Sequence, residues 1–289
     1  MESLYHYTNQ GGLIGVLSSK NMWATQAHFL NDPTEFTHAL NFAKRIASNL
    51  YEDDYFEVFG WELRTRLEAL SGESIFVASF SETPDLLSQW RGYCPAGSGY
   101  CLGFDFQGVK AFCDENGLRL EKCIYGHEEQ VGAIIELAQS CLSLFPIPPL
   151  TQEDFQHLSS EKQVDFQMSY QKYVTGEGSA AAQNAIDIFC RELIALAPLF
   201  KNQGFHEEAE WRIIAQAPEC STHFRAGPSY VVPYVELNVL KGRLSILRTV
   251  MIGPNPDQHR CEKAAKIMLG SLGYSEATVT RSIIPFSNW

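Results

Sequence analysis

The feature that most constrains the fold is a series of short strand-like runs that long helical patterns interrupt. Residues 129–145 and 160–201 carry apolar residues at helical spacing, with Ile186, Phe189 and Leu193 on one face of the second block. Strand-like runs lie on both sides of these blocks, and each is alternating or mostly apolar. The runs are 74–81, 99–106, 118–125, 209–216, 229–237, 246–253 and 278–285. The order predicts an α+β fold with a sheet core and a helical insertion at about 127–201.

Three further helices are indicated outside that insertion. One begins at Asp32-Pro33-Thr34-Glu35, where Asp32 can cap, Pro33 suits the first turn and Glu35 completes a capping box. Another follows the first residues of the chain, at Gly12 to Leu17, and a third spans 257–272. The apolar stripe of the helix that Asp32 starts has helical period. Its members are Phe36, Ala39, Leu40, Ala43, Ile46, Ala47 and Leu50.

Length and composition predict a single globular domain. The chain has 289 residues, 45% of them hydrophobic, which is enough to bury a large core. No Gly/Ser/Pro-rich stretch or long charge run marks a linker. We therefore expect one domain over residues 1–289, with the helical insertion inside it.

Charge and cysteine usage restrict the partners and the compartment. A formal net charge of -12 disfavours a broad basic face for duplex nucleic acid or anionic lipid, although a local cationic pocket is compatible with it. The eight cysteines include no C-x-x-C pair and should be reduced. The N-terminus lacks a signal-peptide pattern and no apolar stretch could span a bilayer. The sequence predicts a cytoplasmic protein that has no membrane partner.

Two strand-like runs carry polar side chains that could form a site. Because strand side chains alternate, Ser79 and Ser81 should share one face of their run. Glu208 and Glu210 should likewise share a face with Arg212, about 7 Å apart on one strand. Two such carboxylates can divide the work of binding a hydroxyl and stabilising positive charge. The alternative is an intrastrand Glu/Arg pair on a solvated edge strand.

These residues resemble the motifs of ADP-ribosyltransferases. Tyr5-His6-Tyr7-Thr8, followed by a short helix and Trp23-Ala24-Thr25, is similar to the opening of the diphtheria-toxin type. Ser79-Phe80-Ser81 and Glu208-Ala209-Glu210 are similar to the Ser-x-Ser and Glu-x-Glu motifs of the related arginine-type toxins. The chain therefore combines motifs of two classes. The resemblance implies a split, mostly antiparallel sheet core of the ADP-ribosyltransferase type.

The same resemblance implies roles for individual residues, with NAD as the substrate. His6 would bind a ribose hydroxyl of NAD, and Tyr7 with its neighbour Thr8 would contact the nicotinamide amide through the backbone. Glu210 would be the catalytic glutamate that stabilises an oxocarbenium-like transition state, and Glu208 would activate or orient the acceptor. Ser79 and Ser81 would complete the NAD-binding site.

The motif Gln89-Trp90-Arg91-Gly92-Tyr93 supplies further candidates. Trp90 or Tyr93 could provide the flat surface that stacks on nicotinamide. Arg91 could bind the NAD pyrophosphate by bidentate hydrogen bonds, and a structural arginine after a buried Trp90 is the alternative.

A second resemblance spans nearly the whole chain and is to an uncharacterised bacterial family, domain of unknown function 2971. Members are often associated with mobile elements and with defence against phage. The resemblance implies an intracellular toxin or antiviral effector that acts on a protein or nucleic-acid acceptor and has an antitoxin or regulatory partner. The matching segments follow the chain from end to end. They are Leu4 to Thr8, Leu30 to Glu35, Ser79 to Ser81, Gln89 to Tyr93, Gly204 to Arg212 and Ile252 to Pro254.

Two other function classes fit the same residues. In a metal-dependent nuclease or phosphodiesterase, Mg²⁺ would be held by four carboxylates, namely Asp32, Glu35, Glu208 and Glu210. In a binding module without chemistry, His6 and the two serines would form a satisfied polar network. The other histidines lack zinc-like spacing, so no metal site is predicted from them.

Overall fold

A computed structural model describes most of the chain and divides into two compact units. The first unit contains Met1–Asn31, Ser74–Cys123 and Asn202–Trp289, and the second contains Asp32–Glu73 and Ile124–Lys201. The predicted insertion at 127–201 falls in the second unit, together with two helices from earlier in the chain. The expectation of one domain stays a prediction. The described ranges are 2–30, 33–51, 55–70, 75–94, 97–216, 222–227 and 229–286, without the side chains of 33–35.

The first unit is built on a ten-stranded, mostly antiparallel sheet. The strands are β1 Ser3–Asn9, β2 Met22–Gln26, β3 Ile75–Ser81, β4 Gly99–Asp105, β5 Arg119–Lys122, β6 Glu210–Gln216, β7 His223–Ala226, β8 Val231–Leu237, β9 Leu247–Ile252 and β10 Thr278–Arg281. The helices of this unit are α1 Gln10–Ser19, α4 Leu87–Tyr93, α5 Phe106–Glu115 and α10 Gln258–Leu272. All seven strand-like runs contain a strand, so the predicted α+β class is confirmed.

The sheet has an opening between β1 and β2, the two strands that α1 connects in the sequence. The strand order is β10-β9-β4-β1-β3-β2-β8-β7, with β6 on the other edge of β3 and β5 beyond it. The pair β9–β10 is parallel and the others are antiparallel. Along one edge β3 pairs with β2 at Phe76 and Val77 and with β1 at Ser81. Among the described residues, no strand pairs along this edge with the three residues between these points, which pair with β6 on the other edge.

One hydrophobic core lies against the sheet of the first unit. Residues that alternate with the polar positions, such as Phe76 and Phe80 on β3 and Ile213 on β6, are buried in it with Leu4 of β1. Helix α1 adds Leu13, Val16 and Leu17. A small separate cluster surrounds Trp90 with Tyr7, Cys94 and Cys101. The predicted alternation on β3 is confirmed, because Phe76 and Phe80 enter the core opposite the two serines.

The second unit has an apolar core of its own, to which every described helix of the unit except the short Gln152–Gln156 contributes. Its helices are α2 Pro33–Ser48, α3 Glu57–Glu68, α6 His127–Leu142, α7 Gln152–Gln156, α8 Ser160–Thr175 and α9 Ser179–Leu196. Ala39, Ala43 and Ala47 of the predicted α2 stripe are buried, which confirms its helical period. The predicted block 160–201 is two helices, since α8 ends at Thr175 and α9 begins at Ser179. The capping residue Asp32 lies outside the described residues.

Among the described residues, three strands lie outside the seven strand-like runs, namely β1, β2 and the edge strand β7. Within the described part of the chain, no helix has the length and apolar character that crossing a bilayer requires.

Candidate functional site

A small cleft beside the unpaired edge of β3 brings together residues that are distant in the sequence. It measures about 60 Å³ and combines β1, β3 and α4 with the segment that leads into β6. The lining residues are Tyr5, His6, Tyr7, Ser79, Phe80, Ser81, Gln89, Tyr93, Glu208 and Glu210. The structure thus places the predicted His6, both serines and both glutamates at one site.

His6 fills the opening between β1 and β3. Its Nδ1 lies 2.9 Å from the carbonyl oxygen of Ser79, on the stretch of β3 whose edge towards β1 and β2 has no strand partner among the described residues. A carbonyl oxygen only accepts, so Nδ1 carries the hydrogen, and the neutral ring presents Nε2 as an acceptor. Burial lowers the pKa of His6, and the hydrogen bond to Ser79 acts in the opposite direction. The imidazole is therefore neutral at pH 7 and can accept a hydrogen bond from a hydroxyl group.

Glu210 forms a buried bidentate ion pair with Arg212. Arg212 Nε donates to Glu210 Oε1 at 2.8 Å and Nη2 donates to Oε2 at 3.0 Å. The two residues are two positions apart on β6, an interior strand that pairs with β3 and β5, so their side chains share a face. The side chains are only 6% and 4% exposed. The predicted pairing with Arg212 is correct, but the pair is buried rather than on a solvated edge.

Glu208 is not on the strand, contrary to the expected Glu-x-Glu strand geometry. It ends a 3₁₀ turn, Gln203–Glu208, and β6 begins after Ala209, whose φ of 40° is left-handed. This conformation turns the chain, and Glu208 and Glu210 reach the cleft from different elements. Ser81 holds the turn in place, because its hydroxyl donates to the Glu208 carbonyl at 2.7 Å and accepts from Thr83 N at 3.1 Å.

Helix α4 presents Gln89 and Tyr93 to the cleft rather than Trp90 and Arg91. Residues four apart lie on the same helix face, which explains why Gln89 and Tyr93 both line it. Tyr93 is 37% exposed, and its hydroxyl lies 3.4 Å from Glu208 Oε2. Trp90 is 2% exposed and its indole donates to Asp85 Oδ1 at 2.7 Å. Burial of Trp90 leaves no ring face open to a ligand.

Arg91 is exposed on α4. It lines neither the small cleft nor the larger cleft that adjoins it. Its position gives the predicted pyrophosphate contact no support.

Tyr7 and Thr8 continue β1 past the small cleft. The Tyr7 hydroxyl donates to the Thr83 carbonyl at 2.8 Å and accepts from Leu86 N at 3.0 Å, so it fastens β1 to the segment after β3. Its ring packs edge-on against Trp90. The edge of β1 that faces β3 pairs at Tyr5 alone among the described residues, and further along β1 the Thr8 carbonyl accepts a hydrogen bond from the Cys94 thiol at 3.3 Å.

A larger cleft of about 520 Å³ adjoins the small one and shares His6, Tyr7 and Tyr93 with it. It lies between β1, α1 and β2, and its volume is in the range typical of small-molecule sites. Its remaining lining residues are Thr8, Asn9, Gly11, Gly12, Gly15, Val16, Asn21, Trp23, Thr25 and Arg225. Together the clefts form one site that extends from Glu210 to Arg225.

Sequence reasoning did not single out Tyr5, Gln89, Asn21 or Arg225. Gln89 stands in the Gln-Trp-Arg motif and would have been found by assigning that motif to a helix. Asn21 and Arg225 carry no local signal, since only the sheet pairing β2–β8–β7 brings them together.

No group of three or more metal-ligating side chains occurs in the described parts of the chain. Of the four carboxylates predicted for Mg²⁺, Asp32 and the Glu35 side chain lie outside the described residues.

One protein family matches part of the chain. The family described as "Protein of unknown function (DUF2971)" matches residues 89–213, a range that contains the α4 motif and the segment from Glu208 to Arg212. The chain is thus similar to this family over that range. No curated protein and no solved structure matches the chain.

Proposed function

We propose that the protein is an NAD-dependent ADP-ribosyltransferase whose active site is the small cleft. The observation that supports this proposal is the convergence of His6, Ser79, Ser81, Glu208 and Glu210 around one opening in the sheet. The proposed architecture is accordingly the ADP-ribosyltransferase type of split sheet. A cleft that holds a buried carboxylate suits a reaction whose transition state is cationic, because electrostatic stabilisation is strong at groups that are shielded from water.

In the proposed reaction the bond between C1′ of the ribose and the nicotinamide nitrogen breaks. The bonding electron pair leaves with neutral nicotinamide, and C1′ becomes electron-deficient. The acceptor donates a lone pair to C1′ and gives its proton to a base. Atoms and electrons balance in these steps without a metal or a redox cofactor.

Glu210 is the proposed stabiliser of the cation. Arg212 donates to both of its oxygens, which fixes the carboxylate in one orientation, and Glu210 lines the cleft in which a ribose hydroxyl would meet it. His6 Nε2 accepts a second ribose hydroxyl. Preorganisation of this kind avoids reorienting dipoles as charge develops.

Glu208 and Tyr93 take the remaining proposed roles. Glu208 is partly exposed, so an acceptor can approach it and transfer a proton to its carboxylate. Tyr93 lines both clefts and supplies the stacking surface for nicotinamide that buried Trp90 cannot. The acceptor is a protein or a nucleic acid, and the protein is proposed to act as an effector in toxin or antiviral systems under the control of a regulatory partner.

The first prediction concerns Glu210. Purified protein is incubated with NAD and released nicotinamide is quantified by mass spectrometry, first with water and then with protein or nucleic-acid fractions as acceptor. Glu210→Gln should lower the rate of release about a hundredfold to a thousandfold, because it removes the charge that stabilises the transition state.

Glu207→Gln is the matched control, since Glu207 is exposed on the same 3₁₀ turn and does not line the small cleft. Its rate should equal that of the parent. Thermal unfolding of both variants reports any loss of folded protein. A folded Glu210→Gln protein that releases nicotinamide at the parent rate would refute the assignment. With NAD that carries a label in its ADP-ribose part, treatment of the labelled product with protease or nuclease identifies the acceptor class. Degradation by protease indicates a protein acceptor, and degradation by nuclease indicates a nucleic acid.

A further inference from the structure

The larger cleft contains buried polar atoms whose hydrogen bonds are incomplete. Among the described residues, Arg225 Nε and Asn21 Oδ1 are buried and have no hydrogen-bond partner. Both residues line this cleft. Leaving such atoms without a partner costs free energy, so most buried polar groups in proteins are satisfied. An unsatisfied donor and an unsatisfied acceptor in one cleft point to a ligand that supplies both partners.

The two side chains are held in place by residues of two other strands of the sheet, Thr25 of β2 and Glu236 of β8. Arg225 Nη2 donates to Thr25 Oγ1 at 3.3 Å, and Asn21 Nδ2 donates to Glu236 Oε2 at 2.7 Å. These contacts fix the guanidinium and the carboxamide and leave Nε and Oδ1 for another molecule. Arg225 is also the only charged side chain among the described residues that line the cleft. The chain has a net charge of -12, so that its overall charge repels anions. A local cation such as Arg225 therefore determines where an anion can bind.

An exposed indole stands beside these groups. Trp23 is 45% exposed and rests at 4.4 Å on the ring of Tyr234, which supports it from behind. A supported, partly exposed indole is a good stacking surface for a planar ring. Glycines 11, 12 and 15 of α1 line the opposite wall, and a Cβ at Gly15 would meet no atom within 4 Å. The cleft therefore has room for a ring between α1 and the indole.

We infer that the larger cleft binds the ADP end of a dinucleotide, with Arg225 on a phosphate, Asn21 on a donor of the adenosine and Trp23 stacked on adenine. A nucleotide combines the anion, the hydrogen-bond donor and the flat ring that these residues require. The inference rests on the proposed function, because it assigns the other end of the same NAD molecule. It also explains how a catalytic cleft of about 60 Å³ could serve a whole dinucleotide.

Binding of ADP and of adenosine to the full-length protein tests the inference by isothermal titration calorimetry. Arg225→Gln should weaken ADP binding about tenfold to a hundredfold, the usual effect of losing a charged hydrogen bond, and leave adenosine binding nearly unchanged. Trp23→Ala should weaken both ligands by at least about fivefold, because stacking involves the ring that they share.

Arg260→Gln is the control, since Arg260 lies on α10 with 87% of its side chain exposed, and it should bind as the parent does. Melting temperatures confirm that each variant is folded. The inference is overturned if the parent does not bind ADP, if folded Arg225→Gln binds it as tightly as the parent does, or if Arg225→Gln weakens adenosine equally.

The same proteins separate this inference from the proposed function. If ADP binds as expected and the parent releases no nicotinamide with any acceptor, the nucleotide site stands and the transferase proposal fails. If the parent releases nicotinamide and Arg225→Gln keeps the parent KM for NAD, the transferase stands and the nucleotide site fails.

Discussion

At the scale of single residues, the site depends on two groups that the surrounding protein holds in one ionic state each. Arg212 forms an ion pair with the buried Glu210 carboxylate through two hydrogen bonds. Ser79 accepts the Nδ1 hydrogen of His6 and so selects the tautomer in which Nε2 is an acceptor. Each functional side chain thus has a backbone or side-chain partner that fixes its orientation. The same contacts give the site a defined response to acid.

The neutral state of His6 makes stability depend on pH. The pKa of His6 is lowered from 6.5 by burial, so below that value the unfolded chain binds more protons than the folded protein. The stability that comes from keeping His6 neutral is fully present above pH 6.5. It is progressively lost as the pH falls through 6.5 towards the pKa of His6 in the folded protein. His6→Asn keeps a donor for the Ser79 carbonyl but cannot titrate. The parent should therefore lose more stability than this variant on going from about pH 7.5 to about pH 5.5.

Urea unfolding curves at the two pH values measure this difference. His157→Asn is the control, because His157 is exposed, and it should lose as much stability as the parent. Equal losses in the parent and in His6→Asn would contradict a neutral, buried His6.

At the scale of elements, the junction between the 3₁₀ turn and β6 decides where the two glutamates point. Ala209 adopts a φ of 40°, which costs a residue with a Cβ about 1 kcal/mol and suits glycine. Ala209→Gly should therefore be neutral or raise the free energy of unfolding by up to about 1 kcal/mol. Ala209→Val should lower it by at least about 1 kcal/mol, because a branched Cβ fits this conformation poorly.

Urea denaturation of the two variants checks the junction. Val250→Ala serves as a reference, because Val250 is fully buried on β9. It shows how far the free energy of unfolding falls when a buried apolar side chain is shortened. If Ala209→Gly were destabilised as much as Ala209→Val, the left-handed turn would not be what positions Glu208.

The sequence predicts these elements to different extents. Short runs that are alternating or mostly apolar locate β3, β6 and β8, because most residues of each strand are buried. The edge strand β7 has four mostly exposed residues, and such a strand leaves almost no pattern. Helix α4 has only seven residues, too short for a helical period, so the sequence could not show that Gln89 and Tyr93 share a face. Tertiary pairing alone reveals that β6 is interior and that the Glu210–Arg212 pair is buried.

At the scale of the whole molecule, the cysteines are distributed through the cores of both units. Cys94, Cys101, Cys113, Cys123, Cys141 and Cys190 are buried, Cys261 is partly exposed, and none of the seven forms a disulfide within the described residues. Cys220 lies outside the described residues. Burial raises the pKa of Cys94 to about 12, and that of Cys190 to about 11. Because the thiolate is the reactive form, buried thiols of high pKa should react slowly while the protein is folded.

Thiol titration with an aromatic disulfide reagent tests this distribution. In a Cys220→Ser background, the folded protein should react rapidly at Cys261 alone, and all seven remaining thiols should react in guanidinium chloride. Adding Cys261→Ser should abolish the rapid phase and leave six thiols for the unfolded chain. Rapid reaction of several thiols in the folded protein would show that the cores open readily. If fewer thiols than expected react after unfolding, and prior reduction restores the expected number, some of these cysteines pair as disulfides.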